Sequence, residues 1–378
     1  MDKRTVMKYY IIAGEASGDL HGSKLIKELK ALDTKALIRC WGGDLMQNAG
    51  GDVVKHYRDL AFMGFTEVIM NLPTILRNFS FCKKDIAAFK PNVLILIDYP
   101  GFNLRMAKWA KENGMKVIYY ISPQIWAWKE KRIHDIKKYV DKMLVILPFE
   151  SAYYSKWKYP VDYVGHPLVE TIDQYLESQQ RKKNPWGEEQ KIIAVLPGSR
   201  KQEILRKLPI MLKMVDQFPN YRFIVAKAPG LDDSFYSQLL KPYPFVETVS
   251  NRTYELLSFA SAALVTSGTA TLETALFGVP QIICYKGNNI SFQIAKRLIK
   301  IKFIGLVNLI MNKEVVKELI QDKLTEKNLM IELNLILHNV IRIKQIKDNY
   351  RTLREVLSKG GNASINAAAI INRFLTKK

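Results

Sequence analysis

Four short loops hold most of the reactive side chains of this 378-residue chain, and each follows an apolar run. The first is Ala13-Gly-Glu-Ala-Ser-Gly-Asp19. Gly14 and Gly18 permit a tight turn and the close approach of a ligand. Backbone amides at the start of a following helix would meet an anion or a sugar hydroxyl. The carboxylates of Glu15 and Asp19 argue against a plain phosphate cradle, and the spacing is neither a Walker loop nor a GxGxxG fingerprint. The alternative is that the glycines only make the turn and that Ser17 or Asp19 caps the helix.

The second loop is Asp98-Tyr-Pro-Gly-Phe-Asn103. A carboxylate at the end of an apolar strand sits where parallel sheets bind ligands. Asp98 there could take the proton of an attacking hydroxyl, which is general-base work. Its bland alternative is a cap for a helix beginning near Asn103, since Pro100 and Gly101 oppose immediate helix formation. The third loop, Leu196-Pro-Gly-Ser-Arg200, offers the amides of Gly198 and Ser199 to a phosphate, and Arg200 can fork onto its oxygens. The fourth, Thr266-Ser-Gly-Thr-Ala-Thr-Leu-Glu273, repeats the small-residue turn with hydroxyl donors at Ser267 and Thr269 around Gly268. It suits a second phosphate site or the other side of one pyrophosphate, with Glu273 able to bind a ribose diol. A further loop, Ser122-Pro-Gln-Ile-Trp-Ala-Trp128, suggests a lid or a sugar- or lipid-facing wall, with two core aromatics as the alternative. His21, His56, His134, His166 and His338 lie far apart and no HExxH or DxD occurs, so no metal and no cofactor is expected.

Short apolar strands and amphipathic helices must position these loops. Strands are expected at Tyr9–Ala13, Leu37–Trp41, Val93–Ile97, Lys116–Ile121 and Lys142–Leu147, with helices between them at Leu20–Leu32, Pro73–Phe89, Leu104–Asn113 and Lys129–Tyr139. Continuous apolar strands suit a parallel sheet buried on both faces. The rhythm pauses after Val164-Gly-His-Pro167 and restarts with strands at Ile192–Leu196, Tyr221–Ala226, Phe245–Val249, Ala262–Thr266 and Gln281–Tyr285. The fold class is therefore α/β, with two doubly wound halves divided near residues 165–190. Residues 325–374 read as helices only, and a terminal helix is free to pack back on the first half. Two such sheets facing each other would enclose a cleft.

Composition narrows the class. Hydrophobic residues make up 48% and aromatics 11%, which excludes a disordered chain. Cys40, Cys82 and Cys284 are scattered, as expected of core thiols in a reduced cytoplasm. No secretory signal and no membrane-spanning run is seen. Against 36 acidic residues stand 57 basic ones, a formal charge of +21. That attracts phosphorylated substrates, acidic lipid or nucleic acid without choosing among them.

The loops occur together with Pro123-Gln-Ile-Trp-Ala-Trp-Lys129, Lys131-Arg-Ile133, Leu147-Pro-Phe-Glu150 and Val164-Gly-His-Pro-Leu168. In this order, over nearly the whole chain, they resemble the lipid-A-disaccharide synthase family. The resemblance implies a GT-B glycosyltransferase with two Rossmann-like domains, at residues 1–170 for the acceptor and 171–378 for the UDP-sugar. It implies inverting transfer of 2,3-diacylglucosamine from UDP to the 6-hydroxyl of 2,3-diacylglucosamine 1-phosphate (lipid X), giving the β-1,6 disaccharide and UDP. Asp98 matches the family's base, Glu15 a glutamate of the cleft, and Arg200 an essential arginine, while Gly14 and Ser17 fall on the acceptor side. Glu273 fits a ribose ligand, and Asn308 and Glu318 match a late nucleotide-side motif. Three positions depart from the pattern: Gly101 replaces an acid, His21 an apolar residue, and Val307 a proline.

Acylated substrates would need an apolar surface. The segment containing Phe62, Met63, Val68, Ile69, Leu72 and Leu76 is one candidate, either an interfacial element or a buried helix face. A basic-apolar run at residues 290–302 is another. The expected setting is the cytoplasm, peripheral on the inner leaflet of the membrane, without nucleic acid; a homodimer stays open. The rivals are another GT-B enzyme, such as UDP-N-acetylglucosamine 2-epimerase or the peptidoglycan glycosyltransferase, and a basic protein that binds anionic lipid or nucleic acid. UDP binding against a gel shift separates enzyme from nucleic-acid binder.

Overall fold

The computed structural model describes residues 6–60, 72–127, 129–178, 183–266, 268–288 and 301–376. The chain divides into two compact units, Met1–Pro167 with Ser358–Lys378, and Leu168–Leu357.

The first unit is a seven-stranded parallel sheet. Its strands are β1 (Lys8–Ala13), β2 (Leu37–Gly42), β3 (Asp52–His56), β4 (Val93–Ile97), β5 (Lys116–Tyr120), β6 (Lys142–Val145) and β7 (Asp162–Tyr163), in the order β3-β2-β1-β4-β5-β6-β7. The helices are α1 (Ala16–Leu32), α2 (Asp44–Asn48), α3 (Leu72–Phe89), α4 (Pro100–Glu112), α5 (Ile133–Tyr139) and α6 (Glu150–Lys156); α7 (Pro167–Ser178) belongs from Leu168 onward to the second unit, whose core Leu168 and Ile172 join. Strand residues alternate between two cores. Tyr10, Ile12, Leu94 and Leu96 face one. Tyr9, Ile11, Ile95 and Ile97 face the other, where Leu25, Ile26 and Leu29 of α1 meet Ala367, Ala368 and Ile371 near the carboxyl terminus.

The second unit is a six-stranded parallel sheet of β8 (Lys191–Leu196), β9 (Tyr221–Lys227), β10 (Glu247–Ser250), β11 (Ala260–Thr266), β12 (Gln281–Tyr285) and β13 (Lys317–Ile320), in the order β10-β9-β8-β11-β12-β13. Its helices are α8 (Lys201–Leu212), α9 (Met214–Gln217), α10 (Asp233–Leu240), α11 (Thr253–Phe259), α12 (Thr269–Leu276), α13 (Leu306–Met311), α14 (Glu326–His338) and α15 (Val340–Ser358). The terminal helix α16 (Ala363–Thr376) belongs to the first unit.

The start of α4 and two edge strands depart from the sequence reading for physical reasons, and the cysteines follow it. Helix α4 starts at Pro100, not near Leu104. Proline fits the first helical position because its missing N–H would have no intrahelical acceptor there. Strands β3 and β13 are edge strands with charged residues, Asp52-Val-Val-Lys-His56 and Lys317-Glu-Leu-Ile320, and so lack the apolar runs that mark central strands. Cys40, Cys82 and Cys284 are buried and free, and burial pushes the thiols of Cys40 and Cys284 up to about 12. These are core side chains without thiolate character.

Candidate active site

Both sheets reverse their winding once, and ligands of open parallel sheets bind at that reversal, beyond the carboxyl ends of the strands. In the first unit the reversal lies between β1 and β4, with Ala13 paired to Ile97. Gly14-Glu15 and Asp98-Tyr99 are the residues that emerge there. In the second it lies between β8 and β11, with Leu196 paired to Val265. The loops through Gly198-Ser199-Arg200 and Gly268-Thr269 emerge there. The four loops singled out by residue type therefore flank two switch points, two loops to each.

Asp98 and Tyr99 are both left-handed, with φ of 43° and 49°. Two successive non-glycine residues in this region store strain, which persists only where the surroundings impose it. Here the Asp98 backbone is held from three sides. Its N–H donates to the Tyr120 carbonyl at 3.3 Å. Its carbonyl accepts from the Tyr119 hydroxyl at 2.6 Å and from Asn103 Nδ2 at 2.7 Å. Tyr119 and Asn103 are fully buried, so the clamp is rigid. The side chain remains half-buried at the strand end. Burial, helped by the negative charge of Glu15, pushes the Asp98 carboxyl up to about 6, against a hydrogen bond from the Tyr99 amide that favours the anion. A carboxylate so raised is a competent base near neutral pH.

Gly14 is required by contact. A Cβ there would lie 2.3 Å from Tyr99 Cδ1. Gly14→Ala should therefore displace the Tyr99 ring and destabilise the protein by about 1–3 kcal/mol, the usual range for overpacking. Urea unfolding checks this; a wild-type midpoint would mean the ring swings aside freely. A Cβ at Gly101 would meet nothing within 4 Å among the described residues. Ser17 is exposed on the first turn of α1, and Glu15 is its N-cap residue but makes no side-chain cap. Asp19 caps a different helix: its carboxylate accepts from the amides of Gly43 at 2.8 Å, Leu45 at 3.2 Å and Met46 at 3.0 Å, at the start of α2.

The second switch point opens on a pocket of about 500 Å³. Gly198, Ser199, Arg200, Gly268, Thr269 and Glu273 all line it. Gly198 and Gly268 have φ of 116° and 133°, conformations that favour glycine. Arg200 is the N-cap residue of α8, with a side chain 59% exposed and 3.7 Å from Glu203. Glu203 also lies 3.5 Å from Lys207, which is buried. Lys227 adds a cation at the end of β9, paired with Asp233 at 2.5 Å. Burial raises the Glu273 carboxyl, and the Tyr254 hydroxyl donates to it at 3.1 Å, which opposes the rise. Paired amides, an exposed guanidinium and hydroxyls in one hollow can hold a diphosphate, and a fixed carboxylate can hold a diol. The sequence reading missed Glu203, Lys227 and Thr253 as lining residues. Glu203 and Lys207 at i, i+4 were the available signal, but the face they share is visible only once α8 is packed.

Other expected positions fare differently. Asn308 is fully buried and saturated. Its Nδ2 donates to the Val316 carbonyl at 2.8 Å and to Glu318 at 2.9 Å, and its Oδ1 accepts from the Val315 and Val316 amides. Glu318 also accepts from the amides of Ile304 and Gly305, both at 3.0 Å. No Asn308 donor is left for a nucleotide, so in this structure the pair positions the backbone entering α13 rather than presenting a ligand group. Trp126 is tied to Glu150, its Nε1 donating at 3.1 Å, and crosses Phe149 edge-on, which is a packed aromatic rather than an open lid. Leu76 on α3 is 59% exposed. Phe62, Met63, Val68, Ile69, Ser267, Trp128 and the side chain of Leu72 lie outside the described residues.

Comparison with known proteins adds a family. The family model described as lipid-A-disaccharide synthetase matches residues 9–371. A lipid-A-disaccharide synthase of Geobacter metallireducens is 36% identical over 375 residues, 97% of each chain. One from Syntrophus aciditrophicus is 40% identical over 376 residues, again 97% of each. One from Coxiella burnetii is 38% identical over 370 residues, 97% of this chain and 98% of that one. Among solved structures, the glycosyltransferase of kitacinnamycin covers 98% of this chain and 99% of its own at 12% identity, with a TM-score of 0.65. A UDP-N-acetylglucosamine 2-epimerase from Listeria monocytogenes gives a TM-score of 0.66 at 11% identity, over 99% of this chain and 98% of that one. At such identity those two establish the GT-B fold alone.

Proposed function

Because the chain belongs to the lipid-A-disaccharide synthase family, we propose that it transfers 2,3-diacylglucosamine from UDP to the 6-hydroxyl of 2,3-diacylglucosamine 1-phosphate, releasing UDP. The observation that carries this reading is a division of chemistry between switch points. One has a raised, clamped carboxylate; the other has an arginine-lined pocket sized for a nucleotide diphosphate.

In the proposed step Asp98 takes the proton of the acceptor hydroxyl as its oxygen attacks the anomeric carbon. The bond from that carbon to the diphosphate breaks, and the electron pair leaves on UDP. One displacement with one base inverts the centre. Glu15 keeps the Asp98 carboxylate basic through its negative charge. Arg200, with the amides of the Gly198 and Gly268 turns, neutralises the charge that grows on the leaving diphosphate. Glu273 holds the ribose diol. The first unit thus takes the acceptor and the second the UDP-sugar, and the acyl chains of both substrates draw the protein to the inner leaflet as a peripheral enzyme. No helix among the described residues is long and apolar enough to cross a membrane.

The test is incubation with UDP-2,3-diacylglucosamine and lipid X, followed by mass detection of the disaccharide phosphate. UDP binding without product would sink the reading. A pH profile tests the base. Asp98 works as the anion, and its pKa is pushed up to about 6. Turnover should be level above that value and fall roughly tenfold per pH unit below it, as the carboxylate protonates. A profile flat down to pH of about 4, the ordinary carboxylate value, would remove Asp98 from the role.

A further inference from the structure

The pocket at the second switch point contains one charge of the wrong sign for a diphosphate. Glu203 lines it beside Gly198, Ser199 and Arg200. A carboxylate there repels the group that its neighbours attract. Its two oxygens face different cations. Oε1 lies 3.7 Å from the guanidinium of Arg200, and Oε2 lies 3.5 Å from the ammonium of Lys207. The spacings i, i+3 and i, i+4 place all three on one face at the start of α8.

The two cations are not equivalent partners. The Arg200 side chain is 59% exposed and that of Lys207 2%. An exposed ion pair is worth a factor of about two to five. Parting Lys207 from Glu203, its one carboxylate partner among the described residues, would strand a buried charge, a loss of more than about a hundredfold. Burial already lowers the Lys207 pKa, and Glu203 opposes the fall. The ammonium is enclosed further by Tyr285 at the end of β12, 6.0 Å from the ring centre. Glu203 also backs the Gly198 turn, where a Cβ would lie 3.0 Å from Oε2. The carboxylate is therefore held in place, and the guanidinium is the partner it can give up.

We propose that Glu203 is a positioning residue that acts through Arg200, as the partner the arginine exchanges for the diphosphate of UDP. In the empty pocket Glu203 pairs with the guanidinium. When UDP enters, Arg200 passes from the carboxylate to the phosphate oxygens. When UDP leaves as product, the carboxylate takes the arginine back. Lys207 anchors Glu203 and offsets its charge, so the acid costs the pocket no net charge. The product is then held less tightly than an uncommitted arginine would hold it. This rests on the reading of the pocket as the UDP site.

Glu203→Gln combined with Lys207→Met tests it without changing net charge, since one negative and one positive group go together. Replacing both members of a buried pair by groups of similar size is often tolerated. In calorimetric titration the double variant should bind UDP roughly two- to fivefold more tightly than wild type, the worth of the exposed pair that no longer competes. UDP should inhibit turnover at a correspondingly lower concentration. Adding Arg200→Ala to the wild type and to the double variant should give two proteins of equal UDP affinity, because the gain passes through the guanidinium. Unchanged or weaker binding by the double variant overturns the proposal. An equal gain with and without Arg200 overturns it too, by assigning the effect to direct repulsion between carboxylate and diphosphate. If the double variant does not fold, Glu203→Gln alone carries the test: its gain should be larger with Arg200 present than with Arg200→Ala, and equal gains defeat the idea. Wild-type protein that binds no UDP would bring down the reading of the pocket as well. UDP binding that Arg200→Ala weakens and the double variant leaves unchanged would remove the exchange alone.

Discussion

Asp98→Asn should slow turnover by roughly 10²–10⁴-fold, the usual worth of a positioned base, with UDP affinity unchanged. The substitution is narrow by design. Asparagine tolerates the left-handed backbone at least as well as aspartate, so the φ of 43° at this position adds no new strain. Its Oδ1 can keep the hydrogen bond from the Tyr99 amide that Asp98 accepts. The carbonyl clamp from Tyr119 and Asn103 uses main-chain atoms and survives. Only the capacity to take a proton is lost. Stability supplies the control. A carboxyl whose folded pKa is raised to about 6 favours the protonated form in the folded state. Its ionisation therefore opposes folding above that pH, and the penalty vanishes as pH falls below the unfolded value. At neutral pH the asparagine variant should melt at the wild-type temperature or slightly above it. A slow enzyme with an intact or raised melting temperature has lost its base; wild-type turnover would mean that another group carries the proton.

The reach of sequence reasoning differed among these elements for physical reasons. Val93–Ile97 is a continuous apolar run and Gln281–Tyr285 is apolar after its first residue, and their expected bounds match the observed strands. Buried central strands must be apolar on both faces, which leaves a strong trace. Edge strands need not be, and β3 and β13 left almost none. The polar loops were legible because glycine and hydroxyl residues after a strand have few structural reasons to cluster. What no local pattern holds is strand order. That β1 lies beside β4, and β8 beside β11, follows from long-range pairing, and only this pairing brings Glu15 to Asp98 and Gly198 to Gly268. Asn308 and Glu318 show the opposite limit. Polar residues that match a motif can be there to satisfy one another, and residue type does not tell a ligand from a saturated buried amide.

Arg200→Ala should weaken UDP binding by roughly 10–100-fold, the loss expected for charge-assisted hydrogen bonds, and should lower turnover as well. The geometry of the free protein favours this double effect. Arg200 is not committed to the fold: its side chain is 59% exposed, and its one ion-pair partner among the described residues, Glu203, stands 3.7 Å away. Such a pair contributes little to stability, so the variant should unfold as wild type does. The guanidinium is therefore available to a diphosphate without breaking a strong contact. If it touched UDP equally before and during bond cleavage, only affinity would change. Charge grows on the diphosphate as the sugar departs, so the arginine should be worth more in the transition state than in the ground state. Arg200→Lys separates charge from geometry, because lysine keeps the charge and loses the planar fork. It should recover part of the affinity and less of the turnover. Calorimetric titration with UDP, beside saturating turnover for the three proteins, decides the matter. Unchanged affinity and unchanged turnover in the alanine variant would remove Arg200 from the leaving-group site and leave Lys227 as the remaining cation that lines the pocket among the described residues.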